Sequence, residues 1–276
     1  MSTPATTNEG RLFGTSARWL GIARSLAIYY GVPFRARRMA KLYARFVHPG
    51  ALCFDIGAHV GNRVRCWRRL GATVVAVEPQ GDFVRLLRLL YGSDDRVEIV
   101  PKAIGRAAGR AQLLVSARTP TVTTLSRDWI AEVSADPSFA GVHWSEGEEV
   151  EVTTLDALIA EHGEPGFVKI DVEGFEAEVL AGLTRPVRAL SFEYLPAACE
   201  RALDCVDRLA ALADYRFNWS VGESHVLGTR EWLDVAGIRA YLRGLRAEDG
   251  SGDVYAQLAA SALGKSELLR DGDARP

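Results

Sequence analysis

The amino-acid sequence predicts an α/β protein with a mostly parallel sheet, helices on both faces and an antiparallel last strand. Three observations carry that expectation. Short β-branched or apolar runs alternate with stretches of helical apolar spacing. The first such run stops at an Asp-x-Gly turn that opens a helix. The chain has 276 residues, 48% of them apolar and 25% charged, enough for one large core.

The elements follow in order. Residues 1–9 are small and polar, and are expected to lack order. Trp19, Leu20, Ile22, Ala23, Leu26, Ala27 and Tyr30 recur at helical spacing over residues 17–30, and Gly31-Val32-Pro33 breaks that helix. A basic helix over residues 36–46 follows, and Pro49-Gly50 turns the chain into the core domain. Strands are expected at 51–56, 73–77 and 97–100, with helices at 62–70 and 83–90 between them. Residues 111–153 are less regular: 112–116 and 150–153 read as strands, 119–124 and 134–147 as loops or an insertion. A helix over 155–162 has Thr154 as its N-cap. The rhythm resumes with a strand at 167–172, a helix at 175–183, a strand at 189–194 and a helix at 197–212. Residues 216–221 and 224–227 suggest a closing antiparallel pair around Gly222-Glu223, and 232–245 a last helix. The expected organisation is a tail and basic helical extension over 1–48, one domain over 49–258 and a mobile tail over 259–276.

Composition excludes several classes. No apolar run reaches the roughly 18–20 residues that span a bilayer, and no secretory signal is recognisable, so the expected compartment is cytoplasmic. Cys53, Cys66, Cys199 and Cys205 form no Cys-x-x-Cys pair and read as buried free thiols rather than a zinc site or a disulfide framework. The net charge is −2, yet Arg11, Arg18, Arg24, Arg35, Arg37, Arg38, Lys41 and Arg45 precede Phe54 with no acid after Gly10. That segment fits an exposed basic face, a patch for an anionic substrate or membrane surface, or a transit peptide. Without stacking aromatics in a recognisable order, no nucleic-acid partner is expected.

Two constellations carry chemistry. The first is Phe54-Asp55-Ile56-Gly57-Ala58-His59-Val60-Gly61-Asn62. Gly57 permits close approach of backbone to a ligand, and Gly61 tight packing of the new helix. The next strand ends in Glu78-Pro79, 21 residues after Gly57, where an acid accepts hydrogen bonds from ribose hydroxyls. A dinucleotide site needs Gly-x-Gly-x-x-Gly, whereas this turn reads Gly-x-x-x-Gly. Asp55 before the turn would repel a pyrophosphate and suit the ammonium of a methionine moiety, directly or through water. The pattern favours S-adenosylmethionine over NAD.

The second is Phe167-Val168-Lys169-Ile170-Asp171-Val172-Glu173-Gly174-Phe175-Glu176, with acids at the carboxyl end of a strand. Asp171 and Glu173 could orient or deprotonate an acceptor hydroxyl, hold a sulfonium, or bind a divalent metal, although no metal-ligand set is assigned. Glu173 and Glu176 could instead complement the helix dipole. Catalytic candidates are Asp171 and Glu173, then His59. Glu193-Tyr194, residues 218–223 and His225 are candidates for an acceptor pocket.

These segments resemble the FkbM-type methyltransferases. The resemblance rests on the 54–62 signature, Val77-Glu78-Pro79, and the 168–176 signature preceded by Thr154-Leu155-Asp156, and covers residues 50–194. It implies a Rossmann-like class I methyltransferase fold and S-adenosyl-L-methionine as donor. The implied acceptor is usually a hydroxyl on a small molecule such as a natural product or sugar. The implied cofactor-binding residues are Asp55, Gly57, Ala58, His59, Gly61, Asn62, Glu78, Pro79, Ala103 and Asp171. The rival readings are a non-catalytic cofactor-binding partner protein and an NAD-linked oxidoreductase. The latter would want a Tyr-x-x-x-Lys relay, which is absent.

Overall fold

A central sheet of seven strands runs β3-β2-β1-β7-β8-β10-β9. The computed structural model describes residues 34–116 and 119–259. The helix expected over 17–30, the tail 1–9 and residues 260–276 lie outside them.

In chain order the elements are α1 (Arg35–Tyr43), β1 (Leu52–Ile56), α2 (Asn62–Arg69), β2 (Thr73–Val77), α3 (Gly81–Tyr91), β3 (Val97–Val100), β4 (Ala103–Ile104) and β5 (Gly109–Val115). Next come α4 (Arg127–Val133), β6 (Ser145–Thr153), α5 (Leu155–His162), β7 (Phe167–Ile170), α6 (Glu176–Ala181) and β8 (Ala189–Tyr194). The chain closes with α7 (Cys199–Leu212), β9 (Tyr215–Val221), α8 (Val235–Arg243) and β10 (Gly252–Leu258). Strands β3, β2, β1, β7 and β8 are parallel, and β10 is antiparallel to both β8 and β9. A small sheet β4-β6-β5 stands beside the main one.

Both faces of the main sheet are covered, as a parallel sheet requires. Successive side chains of a strand point to opposite faces. Phe54 and Ile56 of β1 join Val75 and Val77 of β2 in the core under α5, α6, α7 and α8. Cys53, Val74 and Ala76 face the other core, with α1 and α2. There Met39, Leu42 and Tyr43 of α1 are buried, and Tyr43 meets Trp67 edge-on at 5.3 Å between ring centres. Arg37, Arg38, Lys41 and Arg45 stay exposed, so this basic helix packs by one face and shows its charge on the other.

The antiparallel pairing differs from the expected one. The partner of β9 is β10, 252–258, and not 224–227. His225 adopts a left-handed backbone (φ 53°) after the 3₁₀ turn Gly222–Ser224, which ends the extended run. Strand β10 enters between β8 and β9, burying Val254, Tyr255 and Ala256 completely. Helix α4 was not legible either. It stands in the irregular stretch, capped by Ser126, whose hydroxyl accepts the Trp129 N–H at 3.1 Å. Thr154 caps α5 as expected, accepting the Ala157 N–H at 3.1 Å.

Candidate active site

Strand register builds the site. Ile56 of β1 is level with Val77 of β2 and Ile170 of β7, and Ile170 with Phe192 of β8. Glu78, Gly57, Asp171 and Glu193 are the next residues of these four strands, so they emerge together at the sheet's carboxyl edge. That edge is where an open α/β sheet binds ligands. A pocket of about 260 Å³ opens there.

The pocket wall includes Gly57, His59, Asn62, Glu78, Pro79, Ala103, Asp171 and Glu173 from the expected set, with Glu193, Gly222 and Glu223. Asp55, Ala58 and Gly61 do not line it. Tyr194 is buried and shares a hydrogen bond with Tyr241 at 2.8 Å between hydroxyl oxygens. Asn218 is buried and donates to the Thr229 carbonyl at 2.9 Å. His225 lies behind Glu223, Nε2 3.2 Å from its carboxylate, and holds that acid low against the effect of burial.

Each acid has its own environment. Glu78 is 4% exposed, and its two oxygens accept the N–H groups of His59 (2.9 Å) and Gln80 (2.8 Å). Burial outweighs those bonds and raises its pKa to about 7. Asp55 is completely buried beneath the turn, its pKa raised by burial, and Arg63 Nε donates to its Oδ1 at 3.0 Å. Asp55 therefore lies behind the pocket wall, with one carboxylate oxygen in an internal ion pair. Asp171 receives Arg63 Nη2 at 2.6 Å and has Lys169 Nζ at 3.8 Å. Burial disfavours its charge, but Lys169 and Arg63 overcome it and hold Asp171 below its usual range. Lys169 is itself buried, with Nζ 2.6 Å from Asp253 on β10, and the two acids keep it cationic against burial.

Glu173 and Glu193 face the same space. One carboxylate oxygen from each, with one from Asp171, lie within 4.8 Å of one another. Burial pushes Glu173 and Glu193 well above the carboxylate range, helped by repulsion from Asp171 and Glu176 at Glu173 and from Glu173 and Asp171 at Glu193. His59, its ring tilted against Phe83 with ring centres 4.1 Å apart, is driven down to about 3 by burial and by Arg63. Its imidazole is neutral at ordinary pH and a weak base.

The turn carrying Glu173 is held from all sides. Glu173 has φ 54°, unusual for a non-glycine residue. The Thr124 hydroxyl donates to its carbonyl at 2.7 Å. The buried Glu176 carboxylate accepts the N–H groups of Val172 (3.1 Å) and Gly174 (3.2 Å), so it caps the turn rather than serving only a helix dipole. Arg201 Nη1 donates to the Gly174 carbonyl at 2.9 Å, and the Trp129 ring lies where a Gly174 Cβ would be. Gly57 has a similar reason. A Cβ there would strike the Asp171 carbonyl oxygen, so its bare face meets the neighbouring turn rather than a ligand.

Arg63, Lys102, Thr121, Thr123, Thr124, Leu125 and Asp253 also line the pocket and were not singled out in the sequence. Arg63 sits in an arginine-rich helix with Arg65, Arg68 and Arg69, which reads as a solvated face. Asp253 belongs to β10, whose pairing with β8 and β9 no local pattern marks. The threonines follow a loop with no motif of its own.

Comparison with known proteins places this geometry. No curated protein matches the sequence. Several solved methyltransferase structures are similar in outline. A TehB-like SAM-dependent methyltransferase from Corynebacterium glutamicum is 10% identical, with TM-score 0.45, over 91% of this chain and 100% of that one. An O-methyltransferase from Bacillus cereus in complex with SAH is 13% identical, with TM-score 0.44, over 89% and 90%. The precorrin-6y C5,15-methyltransferase from Geobacter metallireducens is 9% identical, with TM-score 0.44, over 80% and 86%. The methyltransferase FkbM domain matches residues 55–247, most of the chain and both acidic signatures. The chain therefore belongs to the FkbM family and is an S-adenosylmethionine-dependent methyltransferase.

Proposed function

We propose that this pocket binds S-adenosylmethionine and transfers its methyl group to a hydroxyl of a small molecule. The observation that carries the reading is the register that lines up Glu78, Gly57 and Asp171 on neighbouring strands. Because β1 lies between β2 and β7, an elongated ligand over the Gly57 turn has one end at Glu78 and the other at Asp171. Ribose hydroxyls are donors and suit the Glu78 carboxylate. An ammonium suits Asp171, which its neighbours keep ionised.

The residues fit the cofactor in a further respect. Asn62 is 7% exposed and lines the pocket, and its Nδ2 has no protein partner. A buried amide donor of that kind wants an acceptor, which an adenosyl or carboxylate group provides.

The bound cofactor supplies an already activated methyl electrophile. The chain then has to align an acceptor and take its proton. Glu173 is the best-placed base. Its carboxylate lines the pocket beside those of Asp171 and Glu193, and burial raises its basicity, whereas Asp171 is committed to Arg63 and Lys169. Glu193 and Glu223 form the rest of the acidic wall, which favours hydroxyl-rich acceptors over anions. Among the described residues no helix is long and apolar enough to cross a membrane. The four cysteines are free, which fits the reducing interior of a cell.

Calorimetry with S-adenosylmethionine, S-adenosylhomocysteine and NAD tests the cofactor assignment. Micromolar binding, about −8 kcal/mol, is expected for the two adenosyl ligands and none for NAD. A folded protein that binds neither adenosyl ligand would refute it.

A further inference from the structure

We infer that Arg63 is a positioning residue for the amino-acid end of the cofactor, acting through Asp171. This rests on the cofactor reading above. Arg63 stands at the start of α2 with its side chain 10% exposed, and it joins the ends of two adjacent strands. Nε donates to Asp55 Oδ1 at 3.0 Å and Nη2 to Asp171 Oδ2 at 2.6 Å. The second bond spans 108 positions of chain.

The geometry gives each member a separate task. Asp55 is completely buried and does not reach the pocket, so within the site its carboxylate serves Arg63. Its neighbours along the strand pairing are Ala76 and Lys169, and only Arg63 donates to its side chain among the bonds described. A guanidinium is planar with fixed donor directions, so anchoring Nε on one acid sets where Nη2 points. Arg63 thereby occupies one oxygen of Asp171 and leaves the other for the pocket. Lysine could not do this, because a single ammonium on a flexible stem pairs with one acid or the other without fixing both.

Charge makes the clamp matter. Asp171 faces Glu173 on its own turn, Glu193 on β8, Glu176 on α6 and Asp55 on β1, against Lys169, Arg63 and a neutral His59. Lys169 is shared with Asp253. Without Arg63, Asp171 would be one more buried acid in a cluster that already favours protonation. The ligand's ammonium would then lose its ionised partner, while Glu78 keeps its own bonds to the His59 and Gln80 N–H groups.

That asymmetry sets the experiment. S-adenosylhomocysteine has the amino-acid end, and 5′-methylthioadenosine lacks it. Both are titrated calorimetrically into the full chain, into Arg63→Lys, and into Asp55→Asn/Arg63→Gln. The double variant leaves a neutral hydrogen-bonding pair in place of a stranded buried charge. The expected result is a loss of S-adenosylhomocysteine affinity of about ten- to a hundredfold in the double variant. A smaller loss is expected in Arg63→Lys. Affinity for 5′-methylthioadenosine should stay within about twofold in both. Equal weakening of the two ligands, or no weakening of either, overturns the proposal. If the double variant fails to fold, Arg63→Lys decides by the same ratio. A wild-type chain that binds neither ligand removes the cofactor reading itself, an outcome distinct from the loss of selectivity.

Discussion

The Glu78 carboxylate accepts the His59 backbone N–H at 2.9 Å, so the acid ending β2 also holds the turn that ends β1. Its pKa is raised from 4.5 to about 7 by burial. In the folded protein without ligand, Glu78 therefore binds its proton more tightly than in the unfolded chain. Its contribution to stability is whole below about pH 4.5 and is lost as pH rises through about 7, a change on the order of 3 kcal/mol. Denaturation of wild type and Glu78→Gln at several pH values isolates it: the difference between the two should change across pH 5–8. A constant difference would contradict the assignment.

Ligand binding should reverse that preference. Ribose hydroxyls donate to the ionised form, so S-adenosylhomocysteine should bind more tightly as pH rises through about 7 and release a proton near pH 6.5. Calorimetry in buffers of different ionisation enthalpy reads the proton directly. Glu78→Ala should weaken binding by about 2–3 kcal/mol, the scale of hydrogen bonds to a charged group.

Gly174 and Trp129 test how the Glu173 turn is held. Gly174→Ala places a Cβ into the Trp129 ring at a backbone angle of φ 81°. The expected cost is about 2–4 kcal/mol, from overpacking and left-handed strain together. Urea denaturation measures it, and a cost under about 0.5 kcal/mol would show that the ring is not confined there.

Thr124→Val removes the hydroxyl that supports the Glu173 carbonyl and keeps the side-chain volume. Stability should fall by only about 1 kcal/mol. Methyl transfer should fall further, by about tenfold or more, because small misplacements of a reacting group are costly. Equal modest effects on both would show that Thr124 does not position Glu173.

Glu173→Gln should separate binding from chemistry. Affinity for S-adenosylhomocysteine should stay within about threefold, while methyl transfer to a hydroxyl acceptor drops by about 10²–10⁴ as the base is lost. Unchanged turnover would move the base to another acid of the cluster.

The sequence determined the parallel sheet, its alternation of strands and helices over residues 51–100 and 155–212, and the two acidic strand ends. These are local properties. Apolar periodicity, turn residues and caps act within a few positions, so Thr154 and the turn at Gly57 could be read directly. The sequence also marked Glu78, Asp171 and Glu173, because each follows a strand end.

Tertiary structure decided what those acids touch. Arg63 lies among other arginines, and only folding shows that its guanidinium bridges Asp55 and an acid 108 residues away. Strand β10 pairs with β9 across 30 or more intervening residues, beyond any turn signal, and brings Asp253 to Lys169. Thr124, Trp129 and Arg201 meet at the Glu173-Gly174 turn from three different elements. Such contacts depend on which surfaces the folded sheet brings together, and no local pattern of residues encodes them.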